Sequence, residues 1–107
     1  MQDDSRIGSL LKMLESEPGD IFLNYALALE YFRSPATVLI GEEQLHKVLK
    51  MDPAYVPAYY QLARVYESTG ETGKALETYK EGLRYAVEKK DRKAINEFNE
   101  AIFMLED

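Results

Sequence analysis

Helix-ending residues recur along this chain at a fixed distance. Pro18 and Pro53 lie 35 residues apart, and Tyr31 and Tyr66, at matching places downstream of them, show the same spacing. Proline cannot continue a helix, and a fixed period of this length is typical of repeated supersecondary units. The pattern therefore predicts pairs of helices that recur along an all-α chain.

Apolar residues fall at helical spacing in six segments between these breaks. We expect helices over about 5–17, 21–33, 37–51, a stretch from 53 to 70 with Pro57 in its first turn, 72–89 and 91–106. Small polar residues that can accept hydrogen bonds from free backbone amides precede four of these segments. We predict N-caps at Ser5, Asp20, Thr72 and Asp91, and a C-cap at Gly70.

The apolar periodicity also predicts which residues are buried. The expected core positions in the second and third helices are Asn24, Leu27, Ala28, Tyr31, Ile40, Leu45, Val48 and Leu49. Those in the later helices include Ala58, Tyr59, Leu62, Ala63, Tyr66, Ala75, Tyr79, Gly82, Ala86, Val87, Phe98 and Ile102.

The stretch from Tyr59 to Gly82 carries a recognisable motif. Its residues Tyr59, Leu62, Ala63, Tyr66, Gly70, Ala75, Tyr79 and Gly82 follow the order aromatic, Leu, small, Tyr, then Gly, Ala, aromatic, small. This order resembles that of the tetratricopeptide repeat. The resemblance implies a solenoid of antiparallel helical hairpins, here six short helices in a right-handed superhelix.

The earlier unit matches the same pattern less closely. Asn24 stands where a large aromatic residue is common, and Pro35 stands where the turn glycine is expected. Gly41, Leu45 and Val48 fit the second helix of the unit if one residue is inserted in the turn. The insertion explains why the period exceeds the usual length of about 34 residues.

This resemblance organises the whole chain as one domain over 1–107. It implies an N-terminal helix over 5–17, a first repeat over 18–52, a second repeat over 53–90 and a capping helix over 91–106. The absence of a proline at Val87 predicts that the fifth helix is longer than usual.

Composition excludes several classes of function. The chain has 107 residues, no cysteine and a formal net charge of -6, with 19 acidic against 13 basic side chains. A nucleic-acid or membrane-surface partner is not expected, because both contacts depend largely on an excess of Lys and Arg. Disulfides and thiolate metal sites are impossible without cysteine. The N-terminal residues do not form a secretory signal, so a cytoplasmic location is expected.

No pattern of catalytic, cofactor-binding or metal-binding residues emerges. The sole histidine, His46, falls on the polar side of its helix with no second ligand at a suitable spacing, so we expect it to be solvated. The stretch 70–75 contains Gly and Lys but lacks the spacing of a phosphate-binding loop. The sequence predicts a protein that is not an enzyme.

A second apolar stripe on the second helix is the feature that points to an activity. Phe22, Tyr25, Leu29 and Phe32 cluster roughly 130° away from the core residues of that helix. Two interpretations remain open. The first helix or a chain terminus covers the stripe within the monomer, or the stripe binds a protein or peptide partner or a second copy of the chain.

The resemblance implies that the first helix of each pair lines a concave binding face. Tyr60 and Arg64 hold the places in the fourth helix that Tyr25 and Leu29 hold in the second. We therefore predict a scaffold that binds a polypeptide segment on Phe22, Tyr25, Leu29, Phe32, Tyr60 and Arg64. The alternative is a structural module that forms a homodimer through the stripe of the second helix.

Overall fold

The computed structural model describes the backbone of residues 2–106 and the side chains of residues 6–106. Six α-helices and one short 3-10 helix form this part of the chain, which contains no strand. The helices are α1 (Gln2–Ser16), α2 (Ile21–Tyr31), a 3-10 turn (Pro35–Thr37), α3 (Val38–Met51), α4 (Val56–Ser68), α5 (Thr72–Lys89) and α6 (Arg92–Glu106). Within residues 2–106, no helix combines the length and apolar character that crossing a bilayer requires.

The chain divides into two compact units, Met1–Pro53 and Ala54–Asp107. In the first unit, α2 packs against both α1 and α3. In the second unit, α5 packs against both α4 and α6. Each unit therefore consists of a helical hairpin with one additional helix.

Two of the four predicted N-caps are confirmed. The Asp20 carboxylate accepts a hydrogen bond from the backbone N–H of Leu23 at 2.9 Å, and the Asp91 carboxylate accepts one from Ala94 at 3.1 Å. Both bonds satisfy an amide that has no partner within the first helical turn. These short local contacts could be predicted because they depend only on neighbouring residues.

The predictions for Ser5 and Thr72 are wrong. Ser5 lies inside α1, which begins at Gln2, and its side chain falls outside the described residues. Thr72 is the first residue of α5, and Glu71 occupies the N-cap position without a side-chain capping bond. For Thr72, the reason is the tight turn before α5. In this turn Gly70 has a φ of 80°, and Glu71 donates its backbone N–H to the Tyr66 carbonyl at 2.8 Å.

A 3-10 turn joins α2 to α3 in the part of the chain where the sequence predicts an inserted residue. Ser34 precedes the turn and accepts a hydrogen bond from the backbone N–H of Ala36 at 3.3 Å. The Thr37 hydroxyl donates to the carbonyl of Tyr31 in the last turn of α2. Pro35 cannot continue α2, so the chain uses this turn to reverse direction.

Most predicted core positions are buried, but Ile40 and Val87 are not. Ile40 is 46% exposed and Val87 is 53% exposed. Ile40 directly precedes the buried Gly41, and Val87 directly follows the buried Ala86. One residue along a helix corresponds to a rotation of about 100°, which turns both side chains away from their packing partners.

The core of the second unit is built around a glycine. A Cβ atom at Gly82 would lie 2.6 Å from Phe98 Cζ and 2.7 Å from Tyr59 Cβ. Only glycine permits this approach, so α4 and α6 both reach α5 at this position. Phe98 and Tyr79 are each 1% exposed, which makes them the largest fully buried residues of the unit.

Candidate protein-binding surfaces

The apolar stripe on α2 is only partly accessible. Phe22 is 65% exposed, whereas Tyr25 and Leu29 are half-buried. The helix also carries a charged edge, because Glu30 pairs with Arg6 of α1 at 3.3 Å and with Arg33 at 3.7 Å. We refer to Phe22, Tyr25 and Leu29 as the α2 surface.

Phe32, the fourth residue predicted for this stripe, takes part in packing inside the first unit. Its ring lies so close to Gly41 of α3 that a Cβ there would be 2.6 Å from Phe32 Cε1. Phe32 therefore stabilises the contact between α2 and α3 as well as bordering the α2 surface. The small residue at position 41 is the sequence feature that could have indicated this contact.

Tyr60 and Arg64 lie on α4 in the second unit. The Tyr60 ring meets Tyr79 edge-on, with ring centroids 5.5 Å apart, and meets Phe98 in the same manner at 5.7 Å. Tyr60 is half-buried and Arg64 is exposed. Tyr60 is thus the outer member of an aromatic cluster, and Arg64 adds a positive charge on the same side of α4.

A hydrogen bond links the aromatic cluster to the surface of α4. The Tyr79 hydroxyl donates to the Glu67 carboxylate. Burial raises the pKa of Tyr79 above its usual range, and the hydrogen bond to Glu67 raises it further. The neutral phenol therefore persists well above the pH at which an exposed tyrosine ionises.

The structure places His46 at the surface of α3. Its Nε2 lies 3.8 Å from Glu42 Oε2. Among the residues that the structure describes, no three His, Asp or Glu side chains are grouped so that they could hold a metal ion.

The first unit also contains a groove that the apolar periodicity does not predict. Its volume is about 520 Å³, and the described residues that line it lie within the range 11–51. Apolar side chains of three helices form its walls, among them Leu14 of α1, Leu27 of α2 and Met51 of α3. Lys47 and Lys50 of α3 also line it. We refer to this site as the α1–α3 groove.

A buried amide pair lies beside the α1–α3 groove. Gln44 Nε2 donates to Asn24 Oδ1 at 2.7 Å, and both residues are 7% exposed. Asn24 Nδ2 donates to the carbonyls of Pro18 at 3.1 Å and Asp20 at 2.8 Å. The Asn24 side chain thus connects α2, on which it lies, to the turn before α2 and to α3 through hydrogen bonds.

Comparisons with known proteins agree with this architecture. A tetratricopeptide repeat family model matches residues 47–77. The solution structure of a tetratricopeptide repeat domain protein from Salinibacter ruber is 31% identical, with a TM-score of 0.77. The alignment covers 83% of this chain and 89% of that one. The chain belongs to the tetratricopeptide repeat family.

Other tetratricopeptide repeat proteins match over different lengths. The TPR2B domain of yeast Sti1 was solved in a complex with pHsp70, and it matches this chain with a TM-score of 0.85. The alignment covers 98% of this chain and 83% of that one. At 17% identity, this match shows a shared fold. The TPR repeat-containing protein YpiA of Bacillus subtilis is 34% identical over 62 residues, or 58% of this chain. The matched part spans 12% of the length of YpiA.

The tetratricopeptide repeat pattern explains how the α1–α3 groove arises. Tyr59 holds the common aromatic position of the second repeat, where its ring stacks on Tyr85 with centroids 5.5 Å apart. The same position of the first repeat holds Asn24, and Met51 stands where Tyr85 would be. Two smaller or more flexible side chains replace a ring stack, which leaves room beside α2.

Proposed function

We propose that this chain is a non-catalytic scaffold that binds a segment of another polypeptide on the α2 surface. The tetratricopeptide repeat fold mediates protein–protein interaction, which places the chain in that broad functional class. The observation that carries the proposal is the exposure of Phe22, an aromatic side chain on a helix whose opposite face already forms the core. We also propose that residues 18–52 and 53–90 are its two repeats.

The chemistry of the α2 surface fits an apolar partner segment. Phe22 is 65% exposed, and the half-buried Tyr25 and Leu29 belong to the same stripe of the helix. Aromatic side chains are enriched in protein interfaces, where a few of them contribute most of the binding energy. A partner segment with one or two large apolar side chains would bury this area.

The α4 surface, formed by Tyr60 and Arg64, offers a different chemistry in the second unit. Tyr60 is held by two ring contacts, so binding would cost it little conformational freedom. Arg64 provides a planar cation that suits a carboxylate or an aromatic ring. We propose that this surface contacts polar or acidic residues of a partner.

A photocrosslinking experiment tests the proposal. A photoreactive benzoylphenylalanine replaces Phe22 in the full chain, and a matched copy carries it in place of Leu39, which is 70% exposed on α3. We expect a specific crosslinked polypeptide from expressing cells only at position 22. The crosslinked segment is then synthesised, and its affinity for the wild-type chain is measured by fluorescence anisotropy.

The decisive variant is Phe22→Ser, which removes the exposed anchor without opening the core. We expect it to weaken binding of the synthesised segment by on the order of thirtyfold, since an anchor residue contributes about 2 kcal/mol or more. Equal crosslinking at positions 22 and 39, or unchanged affinity in Phe22→Ser, would contradict the proposal.

Self-association through the α2 surface is the second candidate function. Static light scattering at micromolar concentration measures the mass of the wild-type chain and of Phe22→Ser. A dimer that Phe22→Ser converts to a monomer would support a homodimeric module. A monomer in both samples would leave the partner-binding scaffold as the supported function.

A further inference from the structure

The α1–α3 groove takes no part in the function proposed above. Asn24 and Leu27 of α2 border it, whereas the α2 surface lies on a side of the same helix roughly 130° away. We propose that this groove is a second peptide-binding site, which takes a partner segment that carries large apolar side chains next to acidic ones.

The walls and size of the groove suit apolar side chains. Leu14, Leu27 and Met51 contribute apolar surface to the groove from three different helices. Its volume of about 520 Å³ falls within the range of known ligand sites, roughly 300 to 1,000 Å³. The Asn24 amide, which also lines the groove, donates both of its hydrogens within the chain, so an occupant need not supply a hydrogen-bond acceptor for it.

Two lysines give the groove a positive edge. Lys47 and Lys50 line it, and no acidic side chain is found among its described lining residues. Neither lysine pairs with a carboxylate of the residues whose side chains are described. In a chain with a net charge of -6, this local pair of free cations favours an occupant that carries carboxylates.

The open shape of the groove favours a polypeptide over a small amphiphile. At its rim, Leu11 is 45% exposed and Met51 is 42% exposed. Small ligands need a site that buries about 70 to 90% of their surface, whereas a peptide can insert a few side chains and continue outside.

The test uses a single tryptophan as reporter, since the natural chain has none. Met51→Trp places it at the rim of the groove, and Leu39→Trp places it on the same helix among residues that do not line the groove. Each full chain is titrated with a synthetic peptide of leucines flanked by glutamates, and with a matched peptide in which lysines replace the glutamates. We expect a blue shift of the emission only for Met51→Trp with the glutamate peptide.

Charge reversal identifies the contact. In the Met51→Trp chain, the double change Lys47→Glu and Lys50→Glu should weaken binding of the glutamate peptide by on the order of tenfold or more. The control double change, Lys12→Glu and Lys89→Glu, alters the net charge equally at exposed lysines that do not line the groove. It should leave the affinity within about twofold, because neither lysine lines the groove and salt screens exposed charges that make no direct contact. Circular dichroism confirms that both variants are folded.

Three results would overturn the proposal. One is equal weakening by the two double changes, and another is equal binding of the lysine peptide. The third is that the glutamate peptide does not bind, whereas the fatty-acid anion dodecanoate binds in a way that depends on Lys47 and Lys50. That result would assign the groove to a small amphiphile. Phe22→Ser should leave peptide binding in the groove unchanged, so the groove and the α2 surface succeed or fail separately.

Discussion

The two helical hairpins, α2–α3 in the first unit and α4–α5 in the second, pack through different kinds of side chain. In the first, the contact between α2 and α3 includes the buried, hydrogen-bonded amides of Asn24 and Gln44. In the second, the contact between α4 and α5 is centred on aromatic rings, with Tyr59 stacked on Tyr85. The Tyr59 and Tyr85 rings occupy more space than Asn24 and Met51, which hold the corresponding positions in the first unit. The polar repeat therefore keeps a groove where the aromatic repeat has a ring stack.

The largest effect should come from removing the central ring of the second unit. Phe98→Ala deletes a residue that is 1% exposed and that contacts Tyr60, Tyr79 and Gly82. We expect a loss of about 3 to 5 kcal/mol in the free energy of unfolding, because a cavity replaces a buried ring. Urea denaturation followed by circular dichroism measures it.

The control for this prediction is Phe98→Leu, which retains most of the buried volume and should cost clearly less. Hydrogen exchange of the two variants would show which helices lose protection. Equal stability of Phe98→Ala and the wild type would mean that the aromatic cluster does not hold the second unit together.

A smaller effect should follow from filling the space at Gly82. Gly82→Leu forces side-chain atoms into Phe98 and Tyr59, where even a Cβ would be 2.6 and 2.7 Å from the nearest atoms. Overpacking of this kind costs roughly 1 to 3 kcal/mol, and replacing a helical glycine recovers only part of that. Thermal melts of Gly82→Leu and of Gly73→Leu, where a Cβ has no neighbour within 4 Å, compare a crowded site with an open one. Equal melting temperatures would contradict the close approach.

The amide pair of the first repeat should show a coupled effect. Asn24→Leu leaves the buried Gln44 amide without the partner it has at 2.7 Å, which we expect to cost about 1 to 3 kcal/mol. Adding Gln44→Leu removes the unsatisfied group and should recover part of that loss, since the bonds from Asn24 to the Pro18 and Asp20 carbonyls stay absent. A double-mutant cycle in urea measures the coupling energy. Simple addition of the two single effects would show that the amides act independently.

The smallest effect concerns alkaline pH and the second repeat. Burial raises the pKa of Tyr59 to about 12, with the nearby Tyr85 and Glu81 adding to the shift. An unfolded tyrosine ionises near pH 10, so the folded state holds its proton longer and loses stability as the pH rises from about 10 to 12. In Tyr59→Phe, the urea midpoint of unfolding should fall less steeply between about pH 9 and 12, a range that includes both pKa values. An identical fall in the variant would assign the alkaline loss to other groups.

The sequence alone was sufficient for the helices, the family and most of the core. Asp20 and Asp91 could be predicted because capping depends on residues within one turn. Ile40 and Val87 were misplaced because apolar character does not distinguish neighbouring positions on a helix, although a rotation of about 100° separates them. Local patterns thus identified the elements more reliably than the faces they bury.

The candidate surfaces were predictable only in part. The spacing of Phe22, Tyr25 and Leu29 identified a stripe, but the packing of Phe32 on Gly41 depends on how α2 and α3 approach. The α1–α3 groove depends on three helices at once and on what is missing at position 24. Periodicity describes one helix at a time, so it cannot locate a space between several.

The hydrogen bonds of Asn24 also limit how this repeat can evolve. Its side chain serves Pro18, Asp20 and Gln44 together, so a single substitution towards the aromatic residue of the second repeat removes all of these contacts at once. A lineage that replaces Asn24 by an aromatic residue therefore passes through a less stable intermediate unless position 44 changes at nearly the same time. Among descendants of this chain, we expect the two amides to be inherited and lost as a pair.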